Sequence, residues 1–558
     1  MKINKSLRTL VMLELVIPAL LLILGIYHGL MQVIYRAGWL KTNSFWGLEY
    51  YQGLTLHGVV NALVFTTFFA VAFGNLLVPY LLKMYHNLKV AWFSFILMIT
   101  GTLMAAWAIL AGKASVLYTF YPPLKGHPLF YIGLTLVVIG SWVAFFSWIP
   151  VYLRWRKENP EKKTPMGIVG LFTQFIVWTI ASVAVAVELI FMLIPWSMGI
   201  MDKINPELAR TLFWMFGHPL VYFWLLGAYI MYYSMLPKVA GGKLYSDFAG
   251  RFVFMLFILF SMPVGVHHQF TDPAIGHNFK LLHTFFTYLV FIPSFLTAFT
   301  LAASLEYAGR KNGGNGLFGW WLKLPWLSTE GNKWLFSYFI AGLFIFIFGG
   351  ISGLVQASYS VNLLVHNTSW VPGHFHMTVA GPVFLAFTGM TLYIVHQLTG
   401  RELPFKKLAV IVPYMWLFGI ALFSWGLMRG GLHGEPRRTN LGLSYLNPDS
   451  PLYMPQWKLF TTVTAIGGII MFTAMVIYFF VFFSTFFAKK RKEPDTIEFP
   501  IAEPYHDENV PWVQNFTPWI IVLLILVAIA YTPVLMDVFH STFGGSPPFS
   551  PDNPVPLR

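Results

Sequence analysis

The chain has 558 residues, enough for three or four soluble domains, but 57% of them are hydrophobic and only 10% charged, against about 25% charged in an ordinary globular domain. So few charges cannot cover the outside of a water-soluble fold, which leaves a polytopic membrane protein. With no cysteine present, disulfides, iron–sulfur clusters, thiolate zinc sites and c-type haem attachment are excluded; the net charge of +14 reports on membrane topology, not on nucleic acid.

A hydropathy window of about 19 residues predicts an all-α, polytopic membrane helix bundle of about 13 transmembrane helices in one integral membrane domain, 1–558. In chain order the spans lie near 9–31, 54–82, 90–111, 129–153, 167–198, 211–237, 252–270, 281–308, 334–352, 370–398, 408–428, 459–487 and 516–537. Each can cross ~30 Å of hydrocarbon at ~1.5 Å per residue. The alternation of a membrane β-strand is absent. No cleavage pattern follows Met1, so the first span is expected to be retained. Putting the N-terminus in the cytoplasm places roughly two thirds of Lys and Arg on the inner side. They include Lys2, Lys5 and Arg8, the run Arg154 to Lys163, and Lys489 to Lys492. Thirteen crossings then carry the C-terminus to the periplasm. Residues 489–508 read as a polar loop, and no internal repeat is visible.

Ionisable groups inside a membrane default to function, and six histidines are unusually placed. His57 opens the second span (QGLTLHGVVNA) and His218 lies in the sixth (FGHPLVYFW). His267 and His268 end the seventh (VGVHHQF), and His374 and His376 open the tenth (VPGHFHM). Spans two, six and ten run inward and span seven outward, so all six histidines fall in the outer half of the bilayer. Packing histidines have no reason to share a depth. Positions 374 and 376 project ~200° apart on a helix, so one helix can serve two centres. His218 and Tyr222, four apart, share a face. Adjacent His267 and His268 can meet on one ion only at a helix end or distortion, which Pro263 and Gly265 can supply. Imidazole ligation suits copper, iron or zinc.

GHPLVYFW, VHHQF and VPGHFH together resemble subunit I of the haem–copper terminal oxidases over essentially the whole chain, most nearly the B family of cytochrome ba(3) type. The resemblance implies a proton-translocating cytochrome c oxidase that reduces dioxygen to water. It implies His57 and His376 as axial ligands of a low-spin haem b, and His374 as the ligand of a high-spin, a-type haem. One copper ion falls to His218, His267 and His268, and Tyr222 becomes a redox-active phenol cross-linked to His218. Arg437 and Arg438, in an outer loop where positive charge is disfavoured, are matched to haem propionates, with His366 and Asn367 in the same region. Tyr229 and Tyr233 on span six, with Ser294, Thr297 and Thr300 on span eight, resemble the family's K-type proton pathway; without the family they read as ordinary packing.

Leu220 after Pro219, where the A family has glutamate, favours the B family. Asn362 stands where the B family places an aspartate near a propionate, so the proton exit is expected to differ there. Glu188, inside an apolar span, has no assigned role. The outer stretch Tyr118 to His127 (YTFYPPLKGH) matches the B family and is expected to shield a haem edge or meet subunit II. The implied partners are a subunit II carrying the electron-accepting copper site, a small additional membrane subunit, cytochrome c or quinol as donor, dioxygen and the lipid bilayer, with no nucleic acid. The implied location is a bacterial or archaeal plasma membrane. A quinol-oxidising form and a nitric oxide reductase are alternatives; Leu220 and Tyr222 speak against the latter. A secondary transporter predicts an internal repeat, which is not seen.

Overall fold

The computed structural model describes residues 1–40, 44–45, 47–439, 447–490 and 496–540. Arg491 and Lys492 of the predicted inner basic run therefore lie outside the described residues. Among the described residues, twelve helices are long and apolar enough to cross a membrane. They are α1 (Lys5–Arg36), α2 (Tyr50–Leu82), α3 (Leu88–Leu110), α4 (Pro128–Glu158), α5 (Met166–Ser197) and α6 (Pro206–Ser234). After α7 come α8 (His277–Lys311), α9 (Leu335–Ala357), α10 (Trp370–Thr399), α11 (Lys406–Leu432), α12 (Trp457–Thr485) and α13 (Phe516–Phe539). The seventh predicted span is the exception. Its helix, α7 (Asp247–Phe260), stops well short of residue 270, and the chain resumes only as a single tight turn, Val266–Gln269. Pro263 has no N–H for the helix ladder and disfavours helical backbone before it. Gly265 then takes φ +148°, ψ −36°, a conformation open in practice to glycine alone.

Local chemistry sets the other ends. Asn4, Asn87 and Asn205 cap α1, α3 and α6, each accepting from a backbone N–H of the first turn, and Pro206 follows its cap at the first helical position. Beyond the bundle, the described residues form short helices and two pairs of short strands: β1 (Ser44–Phe45) antiparallel to β2 (Leu48–Glu49), and β3 (Leu244–Ser246) parallel to β4 (Pro504–His506). Three helices widen into π turns at Val59–Val64, Leu189–Leu193 and His376–Val383. Two of these begin at or just after a histidine singled out by the sequence, and π turns gather at functional sites.

The core runs without interruption through the bundle, with Trp148, Trp178, Trp224 and Trp334 fully buried in it. The outward faces of α3, α8 and α13 carry exposed Leu103, Phe295, Phe299 and Ile525, the surface lipid would cover. Helices α11 and α12, α3 and α4, and α5 and α6 pack as adjacent pairs. Small residues let backbones meet: a Cβ on Gly133 would lie 2.9 Å from the Ala105 nitrogen, the close approach typical of membrane helices.

Candidate haem–copper centre

All six histidines line one continuous cavity between α1, α2, α6, α8, α9, α10 and α11. The shared depth expected from the sequence is therefore a shared site, and the imidazoles divide into three sets within it.

The first set is a trio. Among the described residues, His218, His267 and His268 are the group of three metal-ligating side chains whose ligand atoms all lie within 4.8 Å of one another. His218 Nδ1 and His268 Nε2 are 3.1 Å apart, close to the ~3.3 Å expected of two nitrogens bound tetrahedrally to one ion at about 2.0–2.1 Å each. His268 is clamped face to face on Trp214, with ring centroids 3.6 Å apart and planes within 7°. His267 Nδ1 lies 3.2 Å from Thr287 Oγ1, whose own hydroxyl donates to the His283 carbonyl at 2.6 Å. The threonine oxygen is thus left to accept, which places the imidazole proton on Nδ1 and frees Nε2 for a metal. The end of α7 makes this convergence possible. Within a regular helix, adjacent residues diverge by ~100°, and the Pro263–Gly265 break replaces that geometry. On the far side of His218, Nε2 stands 2.8 Å from Tyr222 Oη.

The second set is a facing pair. His57 and His376 have ring centroids 6.3 Å apart with planes within 17°. His57 Nδ1 donates to the Gly25 carbonyl at 2.8 Å, and His376 Nδ1 donates to the Pro372 carbonyl at 2.7 Å. Each Nε2 is therefore left as a lone-pair donor, and an imidazole–metal bond of about 2 Å on each side fits the separation. The third set is His374 alone. Its Nδ1 donates to the Gly349 carbonyl at 3.2 Å and lies 2.9 Å from Ser352 Oγ, again freeing Nε2. The opposite faces expected of His374 and His376 are realised: His374 turns to α9 and His376 to Phe423 of α11.

The sequence reading missed the seats on which these imidazoles rest. A Cβ on Gly29 would come within 2.6 Å of the His57 ring, and one on Gly353 within 3.1 Å of the His374 ring. Each histidine thus lies against a helix bearing glycines four residues apart, Gly25 and Gly29 or Gly349 and Gly353. One accepts the ring's hydrogen bond and the other makes room for the ring. The small-xxx-small spacing was present in the sequence as a signal.

The other predicted residues are brought together only in part. Arg437 and Arg438 line the cavity; His366 and Asn367 do not and stand behind it. Arg437 donates to Asn367 Oδ1 at 3.0 Å, and desolvation together with the neighbouring Arg438 charge pushes its guanidinium down to about 9. Arg438 lies over the Tyr118 and Tyr121 rings, so the outer stretch Tyr118–His127 does cover this edge of the cavity. His366 Nδ1 donates at 2.8 Å to Asn362 Oδ1, and Asn362 donates in turn to the Gln356 carbonyl at 2.6 Å. Of the hydroxyl row, Ser294 lines the cavity and Tyr233 donates to Thr297 Oγ1 at 2.9 Å. Tyr229 is buried, with the Ser294 and Thr297 hydroxyls as its polar neighbours, and Thr300 bonds to its own helix. Glu188 is fully buried, both oxygens unpartnered, and nothing around it assigns a role.

A profile for "Cytochrome C and Quinol oxidase polypeptide I" matches residues 9–470. The chain belongs to that oxidase family. Cytochrome c oxidase subunit 1 of Thermus thermophilus is 41% identical over 499 residues, 88% of this chain and 87% of that one. A probable quinol oxidase subunit 1 of Staphylococcus haemolyticus is 25% identical over 454 residues, 77% of this chain and 63% of that one. Among solved structures, a haem–copper terminal oxidase dimer determined by cryo-electron microscopy superposes with a TM-score of 0.96 at 50% identity, covering 99% of this chain and 97% of that one. As an oxidase polypeptide I, the chain is a multi-pass membrane protein of the respiratory haem–copper class, and the histidine-lined cavity has the donor set that haem and copper require.

Proposed function

We propose that the chain is the catalytic subunit of a B-type, proton-pumping cytochrome c oxidase of the plasma membrane. The observation that carries this is the division of six imidazoles in one cavity into a trio, a facing pair and a single histidine. His57 and His376 would hold a low-spin haem b, whose chemistry would be electron transfer. His374 would hold a high-spin, a-type haem, whose chemistry would be dioxygen reduction, and His218, His267 and His268 would hold the copper. When bound, these groups supply the electron transfer and dioxygen chemistry. The chain's part is to position them, exclude water and deliver protons. Tyr222, joined to His218, supplies a hydrogen atom at its phenolic oxygen. Arg437 and Arg438 neutralise propionates, with Asn367 orienting Arg437 and His366 backing Asn362.

Protons for the site would rise along Thr300, Thr297, Tyr233, Tyr229 and Ser294 from a cytoplasmic N-terminal side. The Ser294 and Thr297 hydroxyls beside Tyr229 support this path. Leu220 after Pro219, where the A family has glutamate, supports the B-type assignment. A neutral Asn362 between His366 and the Gln356 carbonyl supports an exit built without the aspartate of that family. Since the chain has no cysteine, an electron-accepting thiolate copper centre must come from a partner subunit II, with cytochrome c as donor and a small membrane subunit alongside. Reduced-minus-oxidised spectra and metal quantification on the purified protein test the reading: two haems and one copper are expected. His376→Ala should remove the low-spin signal while copper stays; loss of copper alone would contradict the assignment.

A further inference from the structure

Asn367 and Arg438 are among the non-glycine residues in left-handed backbone, both at φ +59°. Such conformations cost about 1–3 kcal/mol and persist only where surrounding structure over-determines them. Here that structure includes one buried ion pair. Arg36, the last residue of α1, donates from Nη2 to Glu435 Oε1 at 2.6 Å and to the Pro436 carbonyl at 2.9 Å. From Nη1 it donates to the Thr439 carbonyl at 3.2 Å. One guanidinium thereby grips the turn holding Arg437 and Arg438 on both sides.

Glu435 is 1% exposed, and its second oxygen lies 3.2 Å from Ser369 Oγ, whose hydroxyl also reaches the Leu427 carbonyl at 2.7 Å. The Ser369 N–H donates to the Glu435 carbonyl at 2.7 Å, and the Arg437 N–H donates to the Asn367 carbonyl at 3.1 Å. The turn is thus sewn to residues 367–369, which lead directly into α10 and its two histidines. In a buried charge pair, removing one partner leaves the other uncompensated. Arg36 also lines the cavity, on the stripe of α1 that carries Gly29 and Val33 beside His57.

We infer that Arg36 and Glu435 form a positioning pair. It fixes Arg437 and Arg438 at the cavity edge and, through the balance of its own two charges, sets the midpoint potential of the low-spin haem. The inference rests on the His57–His376 haem assignment. Glu435→Gln keeps the volume but leaves Arg36 as a net cation beside the cofactor, which favours the reduced haem. Spectroelectrochemical titration of the low-spin band should therefore show an upward shift in Glu435→Gln. It should show a downward shift in Arg36→Met, and a return toward the wild-type value in Arg36→Gln/Glu435→Gln. Arg36→Lys should stay near wild type.

An unchanged potential in haem-loaded Glu435→Gln overturns the inference. So does a double variant displaced as far as the single one, because a purely structural pin would be lost equally in both. If Glu435→Gln loads no haem, Arg36→Met decides: a lowered potential supports the pair and an unchanged one overturns it. A wild-type protein lacking a low-spin band refutes the haem assignment itself, whereas a normal band with unshifted variants refutes only the role of the pair.

Discussion

Replacing Gly265 with alanine isolates the backbone device that builds the metal trio. At φ +148° an L-residue pays about 1–3 kcal/mol of backbone strain. The added methyl would also lie 2.6 Å from the Trp214 carbonyl oxygen and closer still to the Tyr531 hydroxyl, an overpacking cost of about 1–3 kcal/mol. The sum, about 2–6 kcal/mol, falls on the single turn that carries His267 and His268, and Trp214 is the ring on which His268 rests. Relief requires moving that turn, and displaced ligand geometry typically costs 10–100-fold in metal affinity. The copper-to-iron ratio of purified Gly265→Ala should therefore fall well below that of the wild type. The low-spin spectrum, built on other helices, serves as internal control. A variant retaining full copper with normal haem would refute the idea that the α7 break creates the trio.

Three further outcomes follow from the same geometry. Tyr222→Phe, which removes the oxygen 2.8 Å from His218 Nε2, should reduce dioxygen consumption by about 10²-fold or more with haem and copper content unchanged; oxygen-electrode turnover and metal analysis check it. Thr287→Val deletes the acceptor that fixes the His267 tautomer and should weaken copper retention about 10–100-fold against a chelator while leaving the low-spin spectrum intact. Thr297→Val breaks the link of the hydroxyl row to Tyr233, and should slow proton uptake in flow-flash measurements by about tenfold or more without altering either haem spectrum.

The helical bundle and the histidine set were legible because both follow from strong, local signals. Long apolar runs have no alternative fate in lipid, and imidazoles at one depth stand out against an apolar background. The seventh span shows where hydropathy fails: residues 261–270 are apolar enough to extend the window, while Pro263 and Gly265 end the helix at Phe260. The sequence names that pair as the source of a helix end or distortion, while its hydropathy still carries the span to residue 270. The Gly25–Gly29 and Gly349–Gly353 seats were hidden because glycine is common in membrane helices and only the partner ring distinguishes a seat from a packing groove. His366 and Asn367 were assigned to the cavity by position along the chain. Their place behind it depends on the Thr368–Pro436 bridge and the Arg437–Asn367 contact, long-range pairings that no local pattern encodes.

Phe375 has a consequence of its own. It is the single residue separating His374 from His376, and its ring lies 6.2 Å from Tyr118 and 6.0 Å from Trp224. On the proposed assignment the two irons are tied to one helix by three consecutive residues, so covalent bonds fix their spacing. Electron tunnelling between them would then be insensitive to breathing of the bundle, and control over turnover would have to act through driving force or proton supply instead.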